Sequence, residues 1–329
     1  MTVEKLRNYL IAARQFSSPT VVTGHAAPDT DAVISALVEA WRRYETTGEQ
    51  TLPVARCDRL PAEIACLCGD LAALLPLGDT FALTDPTLPV VLTDTHDEPM
   101  FVGRVRAVVD HHLTTVPLDG IDADIRRVGA TATIVADRLR RQGLVPDDTV
   151  ARLLLGGIWM DTDGLSPHKA TDADRVMSDW LSERCSTPSQ QLYDLLQDAL
   201  LGERDVETLY RRDYRRYYAD DGTLLVGFAI LKVRQGALPD RTAIRRLLAD
   251  DAASSGARVC VAKVIAYAAD GMREEHYLAA GDAAETLLAR VCEVAGENAA
   301  PIASDEVYLP PVCVHRGRKW YAQFFKEWV

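Results

Sequence analysis

A chain of 329 residues is long for one hydrophobic core and suits two, each large enough to fold. Its formal charge of -12 argues against a nucleic-acid surface that works by bulk phosphate attraction, and no apolar stretch approaches the length of a membrane span. Hydrophobic residues at 48% and charged residues at 26% indicate an ordinary globular protein, and seven cysteines set in apolar patterns read as reduced thiols, as expected in the cytoplasm. The amphipathic start, Met1-Thr2-Val3-Glu4-Lys5, is not expected to act as a signal peptide.

Helical periodicity over residues 3–16 leads into a β-branched run at 20–24, expected as a strand. The loop after it holds His25, Asp29 and Asp31 before an apolar helical pattern running to about Tyr44. In an open α/β sheet ligands sit outside the carboxyl ends of the strands, which is where this loop would put those three side chains. An isolated Asp-x-Asp most often does no more than cap the helix that follows, so the rest of the chain must decide.

Residues 51–57 read as a weaker strand whose Pro53 suits an edge. Apolar runs at 89–93 and 105–109 read as buried parallel strands, each ending at an aspartate, Asp94 and Asp110. After Gly129-Ala-Thr-Ala-Thr133 one helix is expected to about Gln142 and another over 147–159. This alternation predicts an α/β fold with a doubly wound, mostly parallel sheet. Residues 172–218 are expected to be mainly helical, with a break at 186–189. Strands at 224–233, 258–267 and 275–280, with helices near 240–249 and 283–295, then predict a smaller α/β domain on a mixed sheet. The expected domains are 1–200 and 201–329.

Five of the seven histidines, at 25, 96, 111, 112 and 168, fall in the first half, most of them beside an aspartate at the end of an apolar run. His25, Asp29, Asp31, Asp94, Asp110-His111-His112 and Asp161 are all expected on one rim of the sheet. Acids and imidazoles so gathered repel when empty, and divalent cations relieve the repulsion between the acids. His96, Asp97 and His168 read as exposed turn and loop residues, and Asp163 reads equally as a loop cap or a catalytic acid.

The order and spacing resemble the DHH superfamily of phosphoesterases. More narrowly, Gly24-His25-x-x-Pro28-Asp29-Thr30-Asp31, the Asp94 motif, Val108-Val-Asp-His-His112, Gly129-Ala-Thr-Ala-Thr133 and Asp161-Thr162 with Ser166-Pro167 are similar to the family II inorganic pyrophosphatases and their exopolyphosphatase relatives. The resemblance implies one metal held by His25, Asp29 and Asp94, and a second held by Asp31, Asp94, His111 and Asp161, with Asp94 bridging. Asp31, Asp94 and His112 would carry catalysis, His112 would face the substrate phosphate, and Asp110 would orient a histidine. Nitrogen and oxygen ligands together suit manganese or cobalt, with magnesium on the phosphates of the substrate. A shared water made acidic by the two cations would attack phosphorus.

The same resemblance places phosphate-binding cations in the second domain, where Arg215, Arg318 and Lys319 are the nearest matches. An arginine replaces a lysine at 215, and no lysine lies between Asp161 and Pro167. The expected function is hydrolysis of pyrophosphate or short polyphosphate, with a small phosphate compound as partner, no membrane, no polymeric nucleic acid, and a homodimer of the kind the resemblance implies. Two alternatives stay open: a DHH phosphodiesterase acting on short oligonucleotides or cyclic dinucleotides, and a catalytically weak metal-binding regulatory protein.

Overall fold

The computed structural model describes residues 3–78, 81–114, 116–219, 223–268, 272–311 and 313. It divides into two compact units, Met1–Ala199 and Leu200–Val329.

The first unit begins with helix α1 (Val3–Ala13), strand β1 (Thr20–Thr23), helix α2 (Thr30–Thr47) and strand β2 (Thr51–Val54). The limits of α2 follow from local chemistry. Asp29 at the N-cap accepts a hydrogen bond from the Ala32 N–H, and Gly48, in the left-handed region at φ 71°, ends the helix. Then come α3 (Ala62–Cys68), α4 (Phe81–Thr84), β3 (Val90–Thr93), β4 (Val105–Asp110), β5 (Asp122–Ile125), α5 (Thr131–Arg141), α6 (Asp148–Asp161), α7 (Asp172–Ser182) and α8 (Ser189–Leu201).

All five strands are parallel, in the order β2-β1-β3-β4-β5. Side chains alternate between the faces. Val22, Val91, Ala107 and Val109 join a core with residues of α2, α5 and α6, while Val21, Val90, Leu92 and Val108 pack with Leu83, Leu88 and Phe101. Burial on both faces is why the strands read as unbroken apolar runs, and each buried Val or Leu stabilises the fold by roughly 1.5–3 kcal/mol. The doubly wound α/β architecture expected from the alternation is the one observed. Pro53 lies in β2 at the sheet edge, where its missing N–H is tolerated.

Strand β5 has no counterpart in the sequence reading, because Asp122 and Asp124 make it look like a loop. It is an edge strand, where charged side chains are admissible, and Arg126 and Arg138 hold Asp124.

Strand order reverses between β1 and β3: the chain leaves β1 for β2 on one side and returns to β3 on the other. Such a reversal opens a crevice beyond the carboxyl ends of the two strands.

The second unit contains α9 (Val206–Arg212), β6 (Tyr214–Tyr218), β7 (Leu224–Arg234), α10 (Arg241–Ser255), β8 (Val259–Tyr267), β9 (Arg273–Ala280), α11 (Ala284–Ala295), β10 (Ala300–Ala303) and β11 (Glu306–Leu309). Its six-stranded sheet runs β10-β11-β9-β8-β7-β6, with β7 and β8 parallel and the other pairs antiparallel. One face packs Val226, Phe228, Val261 and Tyr277 against Leu287 and Val291 of α11, and the other packs Leu231, Ala262 and Val264 against Ile244 and Leu248 of α10. The mixed α/β second domain is as expected. One stretch corrects the sequence reading: residues 214–218, expected to be helical, form strand β6. Asp213 ends α9, and Tyr-Arg-Arg-Tyr-Tyr pairs antiparallel with β7, a contact that a helix-period reading does not reveal.

Candidate metal centre

Three strand ends and one helix end meet at the crevice. His25 follows β1, Asp94 follows β3, Asp110 ends β4 with His111 next, and Asp161 is the last residue of α6. The Nε2 atom of His25 lies 3.5 Å from Asp94 Oδ2 and 3.8 Å from Asp29 Oδ2. The other Asp94 oxygen, Oδ1, lies 3.2 Å from His111 Nε2, which is 3.5 Å from Asp161 Oδ2. Donor atoms of His25, Asp29 and Asp94 lie within 4.8 Å of one another, as do those of Asp31, His111 and Asp161. Asp94 therefore turns one oxygen towards each group.

Both imidazoles are aimed by a bond at the far nitrogen. His111 Nδ1 lies 3.1 Å from the Val128 carbonyl oxygen, and His25 Nδ1 lies 2.9 Å from that of Ala26. A carbonyl only accepts, so each Nδ1 carries a proton and each ring turns its Nε2 towards the carboxylates.

The acids are anchored just as firmly. Asp29 caps α2 with Oδ1, 3.0 Å from the Ala32 nitrogen, and turns Oδ2 to His25; it is a cap and a site residue at once. Asp31 accepts from the Thr131 N–H at 2.6 Å, the Ala132 N–H at 2.8 Å and the Ser35 hydroxyl at 3.1 Å. Helix α5 has Ala130 at its N-cap with no side chain to serve it, so a carboxylate a hundred residues earlier closes the helix. Asp94 stands at φ 58°, unusual for a residue with a side chain, and is held there by its N–H bond to Val109 and by the Thr131 hydroxyl, 3.0 Å from Oδ1.

Electrostatics show what the cluster lacks. Burial, and then repulsion from Asp94 and Asp161, push the Asp31 pKa well above the usual carboxylate range. Burial with Asp29 and Asp94 nearby pushes Asp161 up to about 7. Burial disfavours the His111 imidazolium, but Asp94, Asp31 and Asp161 outweigh it and raise its pKa to about 11. His25 is likewise disfavoured by burial and carried well above its usual value by Asp29 and Asp94. Asp94 goes the other way: burial would raise it, yet His111 and His25 hold it below the usual range. By itself the cluster gathers protons where cations would put positive charge. Four carboxylates and two imidazoles converging on one crevice fit divalent cations with mixed nitrogen and oxygen preference.

No family model matches the chain. It is 31% identical over 215 residues to a Deinococcus radiodurans protein provisionally named a manganese-dependent inorganic pyrophosphatase, covering 59% of this chain and 64% of that one. It is 26% identical over 178 residues to the manganese-dependent inorganic pyrophosphatase of Methanothrix thermoacetophila, covering 52% and 56%. The chain thus spans less than two thirds of the length of these curated relatives. Among solved structures, a Methanococcus jannaschii protein assigned provisionally to the family II inorganic pyrophosphatases matches 94% of this chain and 99% of its own, with a TM-score of 0.69 at 22% identity. The chain has the fold of a family II inorganic pyrophosphatase.

Within this family II fold the structure places several residues that the sequence reading put elsewhere. His96, expected in a solvated turn, is buried, with Nδ1 2.5 Å from Asp110 Oδ2. Asp110 is fully buried and also accepts from His112, through Nδ1 at 2.8 Å and the backbone N–H at 3.0 Å. His112 is half-exposed, and its Nδ1 lies 3.7 Å from Asp94 Oδ1. Asp163, at φ 50°, pairs with Lys169 at 3.0 Å, and the same ammonium donates to the Asp161 carbonyl at 3.1 Å. Lys169 therefore stands beside the site although it falls outside the 161–167 loop. His168 is exposed, as expected of a loop residue.

One residue without a warning in its sequence surroundings, Asp174, locks the Gly129 segment. Buried Asp174 accepts from the Gly129 N–H at 2.8 Å, the Thr133 hydroxyl at 2.5 Å and the Thr171 N–H at 2.7 Å. Gly129 packs so closely that a Cβ would stand 2.6 Å from Thr162 Cγ2 and 2.8 Å from Asp174 Oδ2. Arg215 lies on β6 of the second unit, and Arg318 and Lys319 lie outside the described residues.

Proposed function

We propose that this chain is a manganese-dependent phosphohydrolase that cleaves phosphoanhydride bonds of pyrophosphate or short polyphosphate. The observation that carries the reading is Asp94, with one oxygen facing His25, which also meets Asp29, and the other facing His111, which also meets Asp161. That arrangement supports two neighbouring cation sites, the first held by His25, Asp29 and Asp94, the second by Asp31, Asp94, His111 and Asp161. Manganese or cobalt suits the donors, with magnesium accompanying the substrate. A pair of divalent cations would supply an acidified water and neutralise charge on the phosphoryl oxygens.

The residues of the chain do the rest. His25 and His111 present Nε2 while their Nδ1 atoms stay bound to backbone carbonyls. Asp31, fixed by the start of α5, keeps its carboxylate in one orientation. His112, with Nδ1 engaged by Asp110, is left with Nε2 for a phosphate oxygen. In this reading Arg215, Arg318 and Lys319 add positive charge for the phosphates, and the forked guanidinium at 215 grips two oxygens where an ammonium would offer a point charge. No helix among the described residues is long and apolar enough to cross a membrane. All seven cysteines are free thiols, which supports a cytoplasmic setting, and in this reading the partner is a small phosphate compound and not a polymeric nucleic acid. A homodimer belongs to the same reading, and light scattering on the eluting protein tests it.

The test of function compares phosphate release from pyrophosphate, tripolyphosphate and a dinucleotide, with manganese and with magnesium, in the wild type and in Asp94→Asn. Turnover of an inorganic substrate with manganese, lost together with bound metal in Asp94→Asn, supports the proposal. Turnover of the dinucleotide alone, or metal bound without turnover of any substrate, refutes it. Unchanged metal content in Asp94→Asn refutes the bridging role.

A further inference from the structure

A carboxylate between two imidazoles is the unusual feature of this crevice, and only one of the two imidazoles reaches the surface. Asp110 is fully buried and its two oxygens have separate tasks: Oδ2 meets His96 Nδ1 at 2.5 Å, while Oδ1 takes the His112 Nδ1 at 2.8 Å and the His112 backbone N–H at 3.0 Å. Each oxygen of the carboxylate thus meets a different imidazole, and the His112 backbone N–H donates to Oδ1 as well. A bond from one side alone leaves a carboxylate free to rotate about its Cβ–Cγ bond; a second donor on the opposite oxygen removes that freedom.

We propose that His96 is a positioning residue: it acts through Asp110 to fix the ring of His112, so that Nε2 of His112 is presented to the substrate phosphate in one orientation. The side chain of His96 is about 5% exposed while that of His112 is 53% exposed. The brace joins the buried side of the Asp94 loop to the Asp-His-His segment, so two strand ends are registered to each other through one carboxylate. Aligned groups favour reaction only while their geometry is held, and loss of alignment by a fraction of an ångström is enough to lower the rate. The inference rests on the phosphohydrolase reading for its kinetic consequence, but not for the hydrogen bonds that define it.

The experiment uses the full chain and three substitutions. His96→Leu fills the space without a donor, His96→Asn restores an N–H close to the Nδ1 position, and His112→Ala removes the group being positioned. His96→Leu is expected to bind manganese with unchanged stoichiometry and to lose about tenfold in kcat/KM for pyrophosphate, with His96→Asn recovering most of it. The loss is expected to vanish when His96→Leu is placed in the His112→Ala background, since residues acting as a unit are not additive. Equal losses in both backgrounds, or no rescue by asparagine, overturn the proposal. A second readout is independent of turnover: the His112 Nδ1 proton, observed by NMR in metal-free protein, is expected downfield in the wild type and in His96→Asn, and shifted upfield and broadened in His96→Leu. An unchanged resonance in His96→Leu overturns the brace even if the protein hydrolyses nothing, whereas absent turnover in the wild type with the expected resonances overturns only the proposed function.

Discussion

Asp161→Asn separates what the crevice costs from what it binds. The substitution keeps size and removes a charge that the metal-free site holds against burial and two neighbouring carboxylates. The folded carboxyl titrates at about 7 instead of 3.8, so the folded state holds this proton more tightly than the unfolded chain does. That contribution is complete below pH 3.8, declines as the pH rises, and is gone above about 7. Asp31, His25 and His111, all raised, act in the same sense, while the depressed groups Asp94 and Asp110 act only at the acid end, below the window in question. Each tenfold difference in proton affinity is about 1.4 kcal/mol, which gives at most about 4 kcal/mol for charging Asp161 at pH 8. Its side chain is 30% exposed and sits beside His111 and Lys169, and screening reduces the figure to roughly 1–2 kcal/mol.

In a unit of this size that is a rise of about 3–6 °C in the melting temperature of metal-free Asp161→Asn at pH 8, falling to about half of that at pH 5.5. With manganese added the order inverts, because the wild type gains the binding free energy of the cations and the variant loses a ligand. Differential scanning fluorimetry at both pH values, with a chelator and with manganese, reads all four conditions. A metal-free Asp161→Asn that melts below the wild type at pH 8 would show that the acids are not in mutual repulsion and would refute the reasoning.

Other outcomes follow from the same geometry. Gly129→Ala drives a methyl into Thr162 and Asp174, and is expected to destabilise the chain by about 1–3 kcal/mol in a urea melt and to weaken manganese binding in titration calorimetry. Asp174→Ala strips partners from the buried N–H of Gly129 and from Thr133, at a cost of about 2–4 kcal/mol in the same melt, although it contacts no proposed ligand. Lys169→Ala removes the ammonium that favours ionised Asp161, so the pH midpoint for manganese binding is expected to move upward, and an unchanged midpoint would remove Lys169 from the site.

Strand runs that end at Asp94 and Asp110, the Asp29 cap and the order of the histidine and aspartate motifs were legible in the chain because each depends on residues close in sequence: apolar alternation, a side chain three residues from its N–H, a run that stops where the core stops. Strand β6 was not legible, because Tyr-Arg-Arg-Tyr-Tyr becomes a strand only by pairing with β7, and the acidic β5 is a strand only because β4 lies beside it. His96 shows the limit most plainly. Its neighbours Thr95 and Asp97 describe a polar turn, and nothing local states that Asp110, fourteen residues on, will draw it into the core. The sequence by itself determined which side chains stand at the ends of the parallel strands. The tertiary structure alone decided which oxygen of each carboxylate faces which imidazole, since those distances depend on how β1, β3, β4 and the ends of α5 and α6 are packed, and no spacing along one chain records that.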